Sequence, residues 1–117
     1  MYQYTAKIIN IVDGDTFDVE IDLGFHIKLI QRVRLDGVDT PELNSSDVET
    51  RQRARLAKAF IINLDSPNVS LETVKSKDKY GRYLAKVTYQ NSEGMYVDLA
   101  GELIEKGFAV PYAGGKR

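Results

Sequence analysis

Strict alternation of apolar and polar side chains dominates the first third of the chain. Tyr2, Tyr4, Ala6 and Ile8 interleave with Gln3, Thr5 and Lys7, the period-two pattern of a strand with one buried face. The phase slips at Ile8-Ile9, because Ile9 and Ile11 are apolar as well. A slip of one residue turns the apolar set to the opposite face, so a bulge or sharp bend is predicted there. Asp13-Gly14 is a turn signal. Phe17, Val19, Ile21 and Leu23 then alternate with Asp18, Glu20 and Asp22 as a second strand that Gly24 ends. Ile27, Leu29, Val33 and Leu35 continue on odd positions as a third strand, with Gln31 as the polar exception.

After Pro41 the period changes. Ser46-Asp47-Val48-Glu49 reads as a capping box, a serine and a glutamate three residues on that satisfy the free N–H groups of a helix start. Ala54, Ala57, Phe60, Ile61 and Leu64 fall on one helical face, and Ser66-Pro67-Asn68 stops the helix. Val69, Leu71 and Thr73 predict a fourth strand; Tyr83, Ala85, Val87 and Tyr89 predict a fifth. Asn91-Ser92-Glu93-Gly94 is a turn, and Val97 to Lys106 reads as a short helix closed by Gly107. Three meandering strands, a helix, two strands and a helix match an α+β, mainly β fold. The architecture expected is a five-stranded OB-fold, a Greek-key barrel with a helix after strand 3 and a C-terminal helix. No linker, repeat or low-complexity stretch divides residues 1–117, so one domain is expected.

Composition narrows the chemistry. Hydrophobic residues make up 43% of the chain and charged residues 28%, ordinary values for a globular domain. No apolar run approaches the roughly 20 residues of a membrane helix. The N-terminal residues show no basic stretch followed by an apolar one, so no signal peptide is expected and the expected location is cytoplasmic. The chain has no cysteine and a single histidine, His26, which excludes thiolate and multi-histidine zinc sites. Any metal must be a hard cation held by oxygen ligands. The formal net charge of −1 speaks against holding duplex DNA by bulk charge alone. Basic residues are nevertheless grouped: Lys75, Lys77, Lys79, Arg82 and Lys86 surround the single Asp78. A second run, Arg51, Arg53, Arg55 and Lys58, reads as a solvated helix face.

Three segments carry candidate chemistry. In Asp13-Gly14-Asp15-Thr16, Asp15 shares the odd parity of Phe17 and Val19 and is predicted to point toward the apolar side, where a carboxylate needs a cation or donors. In Arg34-Leu35-Asp36-Gly37-Val38-Asp39-Thr40-Pro41-Glu42, an arginine at a strand end precedes a tight loop of carboxylates. Such a loop suits calcium or magnesium. Asp78-Lys79-Tyr80-Gly81-Arg82 supplies a second arginine with a lysine and a tyrosine beside it. Each segment also has a plain structural reading as a turn, a cap or a solvated hairpin loop. Together they supply what phosphodiester hydrolysis needs. A divalent cation polarises the phosphoryl group, two guanidinium groups hold its oxygens, a carboxylate orders or deprotonates water, and tyrosines stack on bases.

In this order and near-family spacing, the three segments resemble the staphylococcal nuclease family (thermonucleases) over roughly Tyr4 to Tyr112. The resemblance implies an OB-barrel nuclease that hydrolyses single-stranded and duplex DNA and RNA with one calcium ion, magnesium being the less favoured metal. It also implies cleavage of the bond to the 5′ oxygen, leaving 3′-phosphate ends with little sequence specificity. By the same resemblance, Asp15 and Asp39 match calcium-binding carboxylates, and Thr40 matches a residue whose backbone carbonyl binds the same ion. Arg34 and Arg82 match the phosphate-contacting arginines, and Glu42 matches the general base or water-ordering group. Lys79 and Tyr80 match substrate-binding residues, and Tyr112 approximately matches a tyrosine lining the nucleotide pocket. The chain departs from better-known members in ending at Gly114-Gly115-Lys116-Arg117 without a further helix, in its short loop after Glu42, in its near-neutral charge and in lacking a secretion signal. Those departures imply an altered nucleotide pocket, a reshaped groove, weaker nonspecific binding and an intracellular enzyme of phage or mobile-element origin; a monomer without a protein partner is expected. Two rivals stand beside the nuclease: a non-catalytic nucleic-acid-binding module, and a protein-interaction module with an exposed apolar patch and no calcium affinity. Three carboxylates that repel phosphate would serve neither.

Overall fold

The bulge expected at Ile8-Ile9 is where the first strand changes direction, and that change lets a single sheet roll up. The computed structural model describes residues 3–64, 68–77 and 83–111. Strand β1 (Gln3–Asp13) pairs antiparallel with β2 (Thr16–Asp22), and the register shifts between Ile8 and Asn10. Past that shift, Asn10 sits opposite Asp18 and Ile11 opposite Phe17, so one extra residue on β1 bends the strand. A second shift, between Ile11 and Asp13, leads into the turn at Gly14. Strand β3 (Lys28–Leu35) runs antiparallel to β2 without interruption from Thr16↔Arg34 to Asp22↔Lys28.

The chain then forms β4 (Val38–Asp39), α1 (Val48–Ile62), β5 (Asn68–Lys77), β6 (Tyr83–Gln90), β7 (Tyr96–Asp98), α2 (Leu99–Glu105) and β8 (Val110–Pro111). Strand β5 pairs with β1 on one side and β6 on the other, and β6 pairs in parallel with β3 at Val33, Arg34 and Leu35. That last pairing closes β1, β2, β3, β5 and β6 into a five-stranded barrel with two helices, as the strand pattern predicts. Strand β7 extends the sheet beyond β6, and β4 and β8 form a separate two-stranded ribbon.

The barrel interior is filled by the alternating residues. Phe17, Val19, Val33, Leu35, Leu71 and Val87 are fully buried, and Ala6, Ile21, Val69 and Ala85 complete their layer. Helix α1 presents Ala54, Ala57 and Ile61 to the protein interior, three of the five positions expected on its inner face, with Phe60 and Leu64 partly buried beside them. Its Phe60 ring meets Phe108 at 5.5 Å between centroids, which ties the helix to the segment after α2.

Two local expectations are corrected. The cap of α1 is Asp47, one residue later than the capping-box reading: its carboxylate accepts from the Thr50 N–H and from the Thr50 hydroxyl. A charged acceptor that satisfies two donors of one residue outcompetes the frame led by Ser46. The second helix begins at Leu99 rather than Val97, because Tyr96, Val97 and Asp98 pair with Gln90, Tyr89 and Thr88 of β6. Asp98 then caps α2 by accepting from the Gly101 N–H at 3.1 Å.

The acidic half of β2 also contributes to pH dependence. Hydrogen bonding from Arg32, then from Asn10, holds the Asp18 carboxyl below its ordinary value of 3.8. The Gly24 N–H and then Lys28 do the same for Asp22, and the Thr50 hydroxyl and N–H for Asp47. A carboxyl depressed in the folded state contributes stability that is present above its unfolded pKa and is lost as the pH falls through its folded one. All three carboxyls act in the same direction. Chemical-denaturation midpoints should therefore be flat above about pH 5 and fall steadily below the 3.8 region. Asp18→Asn should flatten that acid limb, and an unchanged limb would refute the assignment to Asp18.

Candidate active site

Asp15 sits where the sequence parity places it, at the start of β2 and almost fully buried. Its carboxylate is satisfied by donors from two directions. Oδ1 accepts from the Thr16 hydroxyl at 3.1 Å, and Oδ2 accepts from the Thr40 backbone N–H at 3.0 Å. The Asp15 carbonyl accepts from the Leu35 N–H at 2.7 Å, anchoring the turn to the end of β3. Gly14 is required there: a Cβ on it would come within 3.0 Å of the Ala57 Cβ and 3.1 Å of the Thr40 side chain.

Arg34 lies between the buried core residues Val33 and Leu35, so simple alternation turns it to the opposite face. The following loop folds back over that face and buries the guanidinium to 6% exposure. Nη1 donates to the Val38 carbonyl at 3.1 Å, and Nη2 donates to Asp39 Oδ1 at 3.3 Å and lies 3.6 Å from Asp15 Oδ2. Both carboxylates therefore meet the same guanidinium nitrogen. This brings Asp15 and Asp39, 24 positions apart in the chain, to one rim of the barrel.

The β4–β8 ribbon holds Asp39 in place, with Val38 opposite Pro111 and Asp39 opposite Val110. Thr40 is 5% exposed, and its hydroxyl Oγ1 is buried without a hydrogen-bond partner. A cavity of about 210 Å³ opens beside it, lined in part by Asp39, Thr40, Pro41, Thr50 and Arg53. Glu42 lies on the exposed loop just beyond, and Asp13 fastens that loop by accepting from the Leu43 N–H at 3.1 Å. A larger cavity of about 460 Å³ lies between the bulge of β1 and the end of α1. It is walled mainly by isoleucine and leucine and touches none of these residues.

Of the residues singled out in the sequence, the structure brings Asp15, Arg34, Asp39 and Thr40 together and leaves Glu42 exposed nearby. Lys79, Tyr80, Arg82 and Tyr112 lie outside the described residues. Two contributors escaped the sequence reading. Asp13 was legible only as a turn former, and the Val38 carbonyl that positions Arg34 carries no sequence signal. Arg51, placed in a solvated basic run, instead donates from Nη1 to the Ser45 carbonyl at 3.1 Å and braces the loop after Glu42.

The donor set suits a hard cation. Two carboxylates converge on one guanidinium, and the neighbouring Thr40 holds a buried hydroxyl oxygen with no hydrogen-bond partner among the described residues. No group of three or more histidine, aspartate or glutamate side chains forms a metal cage among the described residues. A bound ion would draw the rest of its oxygen shell from backbone, water or substrate.

The family model described as staphylococcal nuclease homologue matches residues 32–116. The chain belongs to the staphylococcal nuclease family. Among its relatives, a thermonuclease of Staphylococcus hyicus is 37% identical over 87 residues, covering 73% of this chain and 48% of that protein. A thermonuclease of Staphylococcus intermedius is 37% identical over 94 residues, covering 79% and 52%. A micrococcal nuclease of Shigella flexneri is 28% identical over 113 residues, covering 93% and 59%. The chain thus spans about half to three fifths of the length of these relatives. The family match begins within β3 at Arg32 and runs through every later element, including Arg34, Asp39, Thr40 and Glu42. Asp15 lies outside it and joins the site through the fold.

Proposed function

We propose that this chain is a calcium-dependent nuclease that hydrolyses phosphodiester bonds of DNA and RNA with little sequence specificity, leaving 3′-phosphate ends. The observation that carries this reading is the buried Arg34 guanidinium held between Asp15 and Asp39 at the rim of the barrel. Asp15, Asp39 and the Thr40 carbonyl would hold the calcium ion. When bound, the ion supplies charge neutralisation and Lewis-acid polarisation of a phosphoryl oxygen.

The chain's own residues do the rest. Arg34 is fixed by the Val38 carbonyl and Asp39, so its guanidinium is already oriented when a phosphate arrives. Such preorganised donors stabilise the charge that develops in the transition state without reorganising. Arg82, matched in Asp78-Lys79-Tyr80-Gly81-Arg82 to the family's other phosphate-contacting arginine, would supply the second guanidinium. Glu42, exposed on the loop beyond Asp39, would order or deprotonate the attacking water. Lys79 and Tyr80 would contact the phosphates of the polynucleotide, which carry no sequence information, and Tyr112 would line the nucleotide pocket.

The test is a degradation assay on plasmid DNA, single-stranded DNA and RNA with calcium, magnesium or chelator. Calcium should support cleavage and chelator should abolish it. Glu42→Ala should slow cleavage by about 100-fold or more, while its thermal midpoint stays at the wild-type value because the side chain is exposed. Cleavage that persists in chelator, or a Glu42→Ala variant as active as wild type, would reject this mechanism. Tight nucleic-acid binding with no cleavage under any metal would favour the non-catalytic binding module.

A further inference from the structure

Glu42 sits on an exposed loop, and a side chain on a loop is only as well placed as the backbone that carries it. Two hydrogen bonds hold that backbone. The Thr40 N–H donates to Asp15 Oδ2 at 3.0 Å, and the Leu43 N–H donates to Asp13 Oδ1 at 3.1 Å. Between these two points lie only Pro41 and Glu42. The ring of Pro41 sets its φ and leaves it no N–H to place. Beyond them, the Ser45 N–H donates to the Glu42 carbonyl at 3.3 Å, and Arg51 Nη1 donates to the Ser45 carbonyl at 3.1 Å. Pro41-Glu42 is therefore gripped on both sides by the two aspartates of a single turn, Asp13-Gly14-Asp15.

That turn has little room to move. Asp13 stands opposite Thr16 where β1 meets β2, past the register shift that follows Ile11. Gly14 between the two aspartates is packed against Ala57 and Thr40, and the Asp15 carbonyl is tied to the Leu35 N–H. An aspartate that serves only its own turn accepts from the backbone about two residues on. Asp13 accepts from a residue 30 positions away. A carboxylate acceptor makes such a bond roughly twice as strong as a neutral one.

We infer that Asp13 is a positioning residue for Glu42, holding its carboxylate at the attacking water through the Leu43 N–H, an inference that rests on the reading of Glu42 as the water-ordering group. With Asp13 truncated, Glu42 is still present, and Asp15 still holds Thr40 and faces Arg34. Substrate should then bind as before while turnover falls. A displacement of about 1 Å is enough to cost on the order of 100-fold in rate, and a loop released at one of two anchors can move that far.

Steady-state cleavage of single-stranded DNA with calcium, together with amide hydrogen exchange of the full chain without added metal, tests this. Each variant is measured at a temperature where its melting curve shows it fully folded. Asp13→Ala should lower kcat at least about tenfold with KM within about twofold of wild type. Its Leu43 N–H should exchange at least about tenfold faster than in wild type, while the Thr40 N–H keeps its protection. Asp13→Asn keeps an acceptor oxygen without the charge, so it should restore most of the lost turnover and most of the Leu43 protection. In the double variant Asp13→Ala, Glu42→Ala, the loss should stay within about twofold of that in Glu42→Ala alone, because an absent carboxylate cannot be misplaced. Asp13→Ala with wild-type turnover, losses that multiply in the double variant, or Asp13→Asn as slow as Asp13→Ala would each overturn the inference and leave the reading of Glu42 standing. The last of these would assign the effect to the charge of Asp13. Glu42→Ala as active as wild type would overturn both.

Discussion

Arg34→Ala is expected to remove phosphodiester cleavage and to destabilise the fold, the largest combined effect of any single change at the site. Arg34 is not a surface arginine that meets substrate on arrival. It is 6% exposed, and it bridges Asp39 at 3.3 Å and Asp15 at 3.6 Å while donating to the Val38 carbonyl. Truncation leaves the Asp15 carboxylate buried with the Thr40 N–H and the Thr16 hydroxyl as its donors among the described residues, and leaves the Val38 carbonyl without this donor. Removing one partner of a buried ion pair costs about 3–5 kcal/mol, against a typical domain stability of 5–15 kcal/mol. Loss of a preorganised donor to the transition state lowers turnover by at least about 100-fold. The two losses separate experimentally. Urea denaturation reads the first, and cleavage at a temperature where the variant is fully folded reads the second. Arg34→Lys restores the charge but not the forked donor geometry, so it should recover part of the stability and little of the activity. An Arg34→Ala variant with wild-type cleavage would remove the guanidinium from the mechanism. One with wild-type stability would show that Asp15 finds another partner.

Much of this arrangement is legible in the sequence, for reasons that differ by residue. Asp15 is foreseeable because strand parity is a strong constraint: a carboxylate two residues before Phe17 shares its inward face. The barrel strands are foreseeable for the same reason, although in β3 only Val33 and Leu35 of the alternating set reach the core while Ile27 and Leu29 stay exposed. The bulge in β1 appears as a break in that alternation. What escapes is structure too short to have a period. Strand β4 is two residues long, as is its partner β8, yet their pairing is what orients Asp39. The burial of Arg34 escapes for a related reason. Its parity points outward, and it is buried only because the loop through Val38 and Asp39 folds over it, a tertiary event with no local signature. Overlapping signals account for the two shifted helix starts. Ser46 leads the capping box, but Asp47 is also a capping residue type, and two donors from Thr50 decide for it. Tyr96 to Asp98 fit a helical pattern until pairing with β6 claims them.

The interior of the barrel sets the second large expectation: Phe17→Ala should cost about 3–5 kcal/mol and should abolish cleavage at physiological temperature without touching the chemistry. Phe17 is fully buried, pairs with Ile11 across β1 and Val33 across β3, and is one of the largest side chains in the closed sheet. The barrel cannot easily collapse around a missing ring, because β2, which carries Phe17, is paired with β1 on one side and β3 on the other, so most of the cavity should persist. Phe17 is also two residues from Asp15 on the same strand, so loosening it frees the turn through which Leu35 N holds the Asp15 carbonyl. Phe17→Leu, which keeps most of the volume, should cost far less. The decisive comparison is with Arg34→Ala. Cooling, or another condition that refolds both variants, should return cleavage to Phe17→Ala and leave Arg34→Ala inactive. Phe17→Ala that refolds fully yet stays inactive would mean that the ring positions the reacting groups as well as filling the core.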